Sequence, residues 1–208
     1  VAKVAPAPQV PVQRDPPPEP PPASPASPTA GPTAGPTAGP IALVARRTVL
    51  PGSEETGITV PFNTSVGAAM FRRGKATYVV FDERRPIDLG RLRGDPIFQA
   101  ATVHLLPSAT LIRLPVPEAR AAALTLGSQG WRIASVPAGA APAPPIAPAF
   151  ADGRVASAVP ASSQVVAIAD PDTGATLLVG TQRKPGGGIG TERRTAEFIL
   201  LSTLQGVL

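Results

Sequence analysis

Val66-Gly67-Ala68-Ala69-Met70-Phe71-Arg72-Arg73-Gly74-Lys75-Ala76-Thr77-Tyr78-Val79-Val80-Phe81-Asp82 sets two apolar runs on either side of a basic turn that contains a glycine. The second run is rich in β-branched and aromatic residues, which suit a pleated, packed surface better than a helix. Gly74 supplies the backbone freedom that a tight reversal needs. The stretch therefore predicts a β-hairpin, and the elements around it are read in relation to that hairpin.

Downstream, Ala101 to Leu105 and Thr110 to Val116 form a second hairpin pattern across Leu106-Pro107-Ser108-Ala109. Within it Thr110, Ile112 and Leu114 share one face and Leu111 and Arg113 the other, so the first set is the expected core face. Trp131 to Val136 reads as another strand. Asp95-Pro96-Ile97-Phe98 carries a capping Asp before a Pro at the first helical position, which predicts a short helical turn. The alanine-rich Glu118 to Leu126, after Pro117, also reads as helical. Upstream, the apolar run Ile41 to Leu50 and the short piece Gly57 to Val60 are extended, and Pro86 to Leu89 adds an edge.

A proline- and alanine-rich stretch, Pro137 to Pro148, has the composition of a linker. Beyond it, Arg154 to Val159 and Ser163 to Ala169 read as strands. Asp170-Pro171-Asp172-Thr173-Gly174 reads as a tight turn, and Ala175 to Val179 as the returning strand, ended by Gly180. The chain passes a glycine-rich connection at 186–190 and stops soon after Phe198-Ile199-Leu200-Leu201, a pattern that suggests truncation.

Before Ile41 the pattern is different. The chain has 29 prolines, 14 of them in residues 1–40, where Pro16-Pro17-Pro18 leads into a Pro-Thr-Ala-Gly repeat at 28–40. With nothing apolar to stack, this segment reads as an extended spacer rising about 3.1 Å per residue, able to hold a module up to about 100 Å from an anchor. The chain as a whole is expected to be mainly β, a small β sandwich or meander with short helical segments, preceded by a disordered Pro/Ala-rich tether. The expected divisions are a linker at 1–40, a β-rich domain at 41–136, a linker at 137–152 and a second, truncated β-rich block at 153–208. With aromatics at only 4%, the core must be built from Val, Leu, Ile and Ala, with Trp131, Tyr78 and a few Phe as its largest fillers. Such a core suits a marginal domain or one completed by a partner.

The net charge is +5, carried almost wholly by Arg, with Lys only at positions 3, 75 and 184. Arg, Ala, Pro and Gly enrichment points to a GC-rich bacterial genome. The arginines come as scattered pairs without interleaved aromatics, which argues against nucleic acid as a partner. There are no cysteines, so thiol catalysis, thiolate zinc sites and disulfides are excluded. No apolar run approaches the roughly 18 residues of a membrane span. The chain begins with Val and lacks a charged start followed by an apolar stretch, from which a removed signal or an internal fragment is expected.

No catalytic constellation emerges from the spacing, and the chain is expected not to be an enzyme. His104 is the lone histidine, and no nucleophile and acid are set beside it, so it is expected on the face of a sheet. Asp82 and Glu83 are adjacent, point to opposite sides of a strand, and are expected to neutralise Arg84 and Arg85. Asp170-x-Asp172-x-Gly174 lacks the later ligands of a calcium loop, and the glycines at 186–190 have no phosphate-binding partner, so no metal and no cofactor is expected.

The stretch 66–82 quoted above resembles the hairpin of AMIN-type domains, β modules found at the start of periplasmic amidases and secretin-type pilus proteins. Ala175 to Val179, with its Asp-Pro-Asp-Thr-Gly turn, looks like part of large envelope proteins of alphaproteobacteria. The chain departs from the AMIN pattern in its proline-rich lead and its helix-like 118–126. The resemblance implies a periplasmic or cell-envelope β sandwich that binds peptidoglycan or an envelope protein without catalysis. Arg72, Arg73 and Lys75 at the hairpin tip would meet an anionic polymer, and Tyr78 would offer a ring beside them. The alternative is an interaction scaffold completed by downstream sequence, or an accessory region of an envelope enzyme.

Overall fold

In a computed structural model, residues 42–49, 56–62, 65–117, 119–138, 143–151 and 154–208 are described. The tether expected at 1–40 lies outside them. The chain opens with β1 (Leu43–Val44), β2 (Arg46–Val49) and β3 (Thr56–Val60), followed by the hairpin β4 (Ala68–Arg73) and β5 (Ala76–Phe81). Next come β6 (Ile87–Asp88), a single 3-10 turn at Gly90–Leu92, β7 (Thr102–Leu105), β8 (Thr110–Leu114), β9 (Arg120–Gly127) and β10 (Gly130–Pro137). The remaining strands are β11 (Pro148–Ala151), β12 (Arg154–Ser157), β13 (Ser162–Ala169), β14 (Thr176–Gln182), β15 (Arg193–Arg194) and β16 (Ile199–Leu200).

The fold is mainly β, as the sequence predicts, and two sheets carry it. One has the order β13-β14-β4-β5-β8-β7 and the other β2-β3-β10-β9, while β1 pairs with β6 in parallel and β11–β12 and β15–β16 are small antiparallel pairs. Alternation along β4 and β5 divides their side chains between two cores. Ala68, Met70, Val79 and Phe81 face the four-stranded sheet, where Ile58, Val60, Ala122, Leu124, Trp131 and Ile133 meet them in one cluster. Ala69, Phe71, Ala76, Tyr78 and Val80 face the other way and pack with Val166, Ile168, Val179 and Leu208.

All six residues of β5 are consequently buried. The expected core face of the second hairpin is also observed, since Ile112 and Leu114 lie in the cluster shared by the two sheets. Thr110, on the same side and fully buried, is satisfied by the turn after β5. Its Oγ1 accepts from the Arg85 amide (2.9 Å) and lies 2.9 Å from the Glu83 and Arg85 carbonyls. The expected helical turn at Asp95 forms. Asp95 Oδ1 accepts from the amides of Ile97 and Phe98 (both 2.9 Å), and the Gln99 amide closes one turn back to the Asp95 carbonyl (3.1 Å).

Three expectations are corrected. Of the stretch Glu118 to Leu126, expected to be helical, Glu118 lies outside the described residues and 120–126 are strand: Arg120–Gly127 pairs residue for residue with β10 through a two-residue turn, Ser128-Gln129. Helix propensity is a weak prior for an alanine-rich run, and here Ala122 and Leu124 alternate onto the shared core while β10 takes up their backbone groups. The strand at 175–179 does not stop at Gly180. It runs on to Gln182, whose partner is Ala68 of β4, and residues from both sides of the expected linker thereby share one sheet within the unit Ala38–Leu208. Part of that linker is itself structured, since Ile146 is buried and β11 pairs with β12.

Beyond Gln182, β14 and β4 are bridged by the last residues of the chain. The Met70 amide donates to the Gln205 carbonyl (2.9 Å) and the Gln205 amide returns to the Met70 carbonyl (3.0 Å). On the other side, Gly180 and Val207 exchange the same pair of bonds at 2.8 and 3.1 Å.

Trp131 ties the two sheets together. It is fully buried, and its Nε1 donates to the Val66 carbonyl (2.9 Å) at the entrance to β4. Trp131→Phe removes buried volume and leaves that carbonyl unpaired. It should lower stability by about 2 kcal/mol in urea titrations followed by circular dichroism. An unchanged midpoint would show that Trp131 is not the link between the layers.

Candidate functional site

The hairpin tip carries the residues that the sequence singles out. Arg73 pairs with Ala76, so Gly74-Lys75 is a two-residue loop, and Gly74 has a positive φ of 52°. Two-residue hairpins favour glycine at this position because it admits that backbone conformation. Alternation then sends Arg72 to the side of Met70 and Arg73 to the side of Phe71.

The four expected site residues do not converge. Tyr78 lies opposite Phe71, the two rings stacked with centroids 5.6 Å apart and planes at 15°, and only 5% of the tyrosine is exposed. It fills a core and offers no ring to a ligand at the tip. Arg73 forms an ion pair with Asp170, whose side chain is 2% exposed, and its Nε also reaches Asp170 Oδ1 at 3.4 Å. Arg72 and Lys75 are exposed, and neither has an ion-pair partner among the described residues.

Asp170 organises the loop that meets the tip. Its Oδ1 accepts from the Asp172 amide (3.0 Å) and its Oδ2 from the Thr173 hydroxyl (2.9 Å), while the Gly174 amide donates to its backbone carbonyl (2.8 Å). This is the turn expected from Asp-Pro-Asp-Thr-Gly. The hydrogen bond from Arg73, helped by those of Asp172 and Thr173 and opposed by burial, holds the Asp170 carboxyl down at about 2. The same bond holds the Arg73 guanidinium more firmly protonated. The Asp172 carboxylate stands 3.5 Å from where a Cβ on Gly74 would lie, so two carboxylates offset part of the tip's positive charge.

Arg72 stands at the rim of a depression of about 230 Å³, lined also by Ile189, Gly190, Ser202, Thr203 and Leu204. The Thr203 hydroxyl is already used, accepting from the Ile189 amide (2.7 Å) and donating to the Gly206 carbonyl (2.6 Å). Ser202 and the Arg72 guanidinium are the polar groups left to a ligand. Neither 189–190 nor 202–204 was singled out as a site from the sequence, because they reach Arg72 only through the late strand bridge to Met70.

The other titratable residues are placed as follows. Asp82, expected to neutralise the following arginines, is buried: it accepts from the Gly67 amide (2.7 Å) and from the Thr181 hydroxyl (2.7 Å). Only Glu83 acts as expected, pairing with Arg85 at 2.8 Å. His104 lies exposed on the edge strand β7, with Nε2 3.2 Å from the Thr102 hydroxyl. Among the described residues no three metal-ligating side chains cluster, and no helix is long and apolar enough to cross a membrane. No family model matches the chain, nor does any curated protein or solved structure.

A carboxyl held near 2 when folded, against 3.8 for a free side chain, binds its proton more weakly in the native state. Its stabilisation is therefore complete above about pH 4 and is lost as pH falls towards 2. Asp170→Asn should cost on the order of 2 kcal/mol at neutral pH and almost nothing near pH 2. Urea titrations of both proteins across that range check this, and parallel pH profiles would refute it.

Proposed function

We propose that the chain is a non-catalytic binding module of the bacterial cell envelope, working in the periplasm, that holds peptidoglycan at the tip of the β4–β5 hairpin. The observation that carries this reading is Arg72, a guanidinium without an ion-pair partner among the described residues, lining a depression with Ser202, while Lys75 stands three residues on in the hairpin loop. Peptidoglycan presents carboxylates on its peptide stems and hydroxyls on its sugars. A guanidinium recognises a carboxylate through paired, charge-assisted hydrogen bonds, and a nearby ammonium adds attraction without demanding one geometry. The hairpin is a rigid base for such a contact, because both faces of β5 are packed. The AMIN-like pattern of 66–82 is consistent with this role.

A second reading, an interaction scaffold, draws on a different observation. β13 is an edge strand, and its Val165 is 69% exposed, with Leu178 on the neighbouring β14 61% exposed. An uncharged edge of this kind can take up a strand from an envelope protein.

Co-sedimentation with purified sacculi separates the two. The wild-type chain should pellet, and the double substitution Arg72→Ala/Lys75→Ala should reduce the bound fraction about tenfold, the weight of a charge-assisted contact. Arg73 is unsuitable for this test, since its loss would unpair Asp170. Val165→Lys should leave sacculus binding intact and abolish strand uptake. A wild-type chain that stays in the supernatant removes the polymer reading.

A further inference from the structure

The four-stranded sheet carries a second charged surface, on the face turned away from the shared core. Strand register places Arg46 opposite Thr59, Thr59 opposite Arg132, and Arg132 opposite Thr125. Ile58, Val60, Trp131 and Ile133 occupy the inner face, so these four residues form a straight row across the outer face of all four strands. Arg46 and Arg132 are two strands apart, about 10 Å at the backbone, a gap that two long side chains can close over Thr59. None of the four strands contains an Asp or Glu.

Arg132 is the unusual member. Its Nε and Nη2 are closed off from solvent and have no hydrogen-bond partner. A buried charged donor without an acceptor is costly, and such a group calls for an explanation. Its position is made possible by Gly57, where a Cβ would come within 3.1 Å of Arg132 Nε and 2.8 Å of the Ile133 carbonyl oxygen. The guanidinium is thus laid along the sheet over the hollow that glycine leaves. Thr59 shares a hydrogen bond with Thr48 (2.8 Å), and Thr125 is exposed at the end of the row.

We propose that this row is an oxyanion-binding site, in which Arg132 and Arg46 clamp a phosphate or carboxylate group with threonine hydroxyls as further donors. Paired guanidinium contacts suit either ligand, and swinging the long Arg132 side chain up from the hollow would bring its unpartnered nitrogens to an oxyanion that supplies the acceptors they lack. The site lies on a different sheet from the hairpin tip and does not rest on the peptidoglycan reading.

The test uses the full chain labelled with ¹⁵N, with the arginine Nε–Hε signals assigned through Arg46→Lys and Arg132→Lys. Inorganic phosphate and sodium acetate are titrated separately against sodium chloride at constant ionic strength. The Arg132 signal should shift saturably with phosphate, and Arg46→Gln, at an exposed position, should weaken the apparent affinity about tenfold without loss of fold. A shift with phosphate alone restricts the ligand to a phosphate group, and a shift with both admits carboxylates. An Arg132 signal that does not move, or one that moves equally in Arg46→Gln, overturns the proposal.

Discussion

β5 is packed on both faces along its whole length, and that constraint shapes the rest of the molecule. A strand with apolar side chains on both sides needs a layer above and a layer below. The four-stranded sheet provides one through Trp131, Ile133, Ile58 and Leu124, and the β13–β14 hairpin with the closing residues 204–208 provides the other. The second layer is less regular. β14 meets β4 in register only at Gln182, and the neighbouring backbone groups are satisfied by the final residues of the chain. Satisfying every buried amide and carbonyl is obligatory, so those residues are drawn into the sheet.

Packing also determines what the hairpin tip can do. The tip has three cations in sequence, but alternation turns one of them, Arg73, towards the loop that begins at Asp170. There it fastens β4 to a turn 97 residues away. A cation with a buried counterion is a fastening and not a free ligand contact. The side chains left to meet solvent are Arg72 and Lys75. Tyr78, three residues beyond Lys75, is committed to the interior by its pairing with Phe71.

Local pattern made the hairpins legible. Alternation in 66–82 and 110–114, the glycine at 74, the Asp95-Pro96 cap and the Asp170 turn all act over a few residues, and each is found where the sequence places it. The stretch 120–127 misleads because alanine tolerates helix and strand alike, and the decision falls to β10 as a neighbour. Gly180 misleads in the same way, since it reads as a terminator when taken alone. In the folded chain it bonds Val207 while the strand continues to Gln182.

What the sequence by itself determined was the hairpins, the turns at Asp95 and Asp170 and the inward face of Thr110–Leu114, because these follow from side-chain period and turn chemistry over short range. What only the tertiary structure decided was which strands share a sheet and which charges remain free. The pairing of Gln182 with Ala68, the ion pair of Arg73 with Asp170 and the row from Arg46 to Thr125 each join residues far apart along the chain. Such contacts depend on how the layers stack, and nothing in local spacing encodes them.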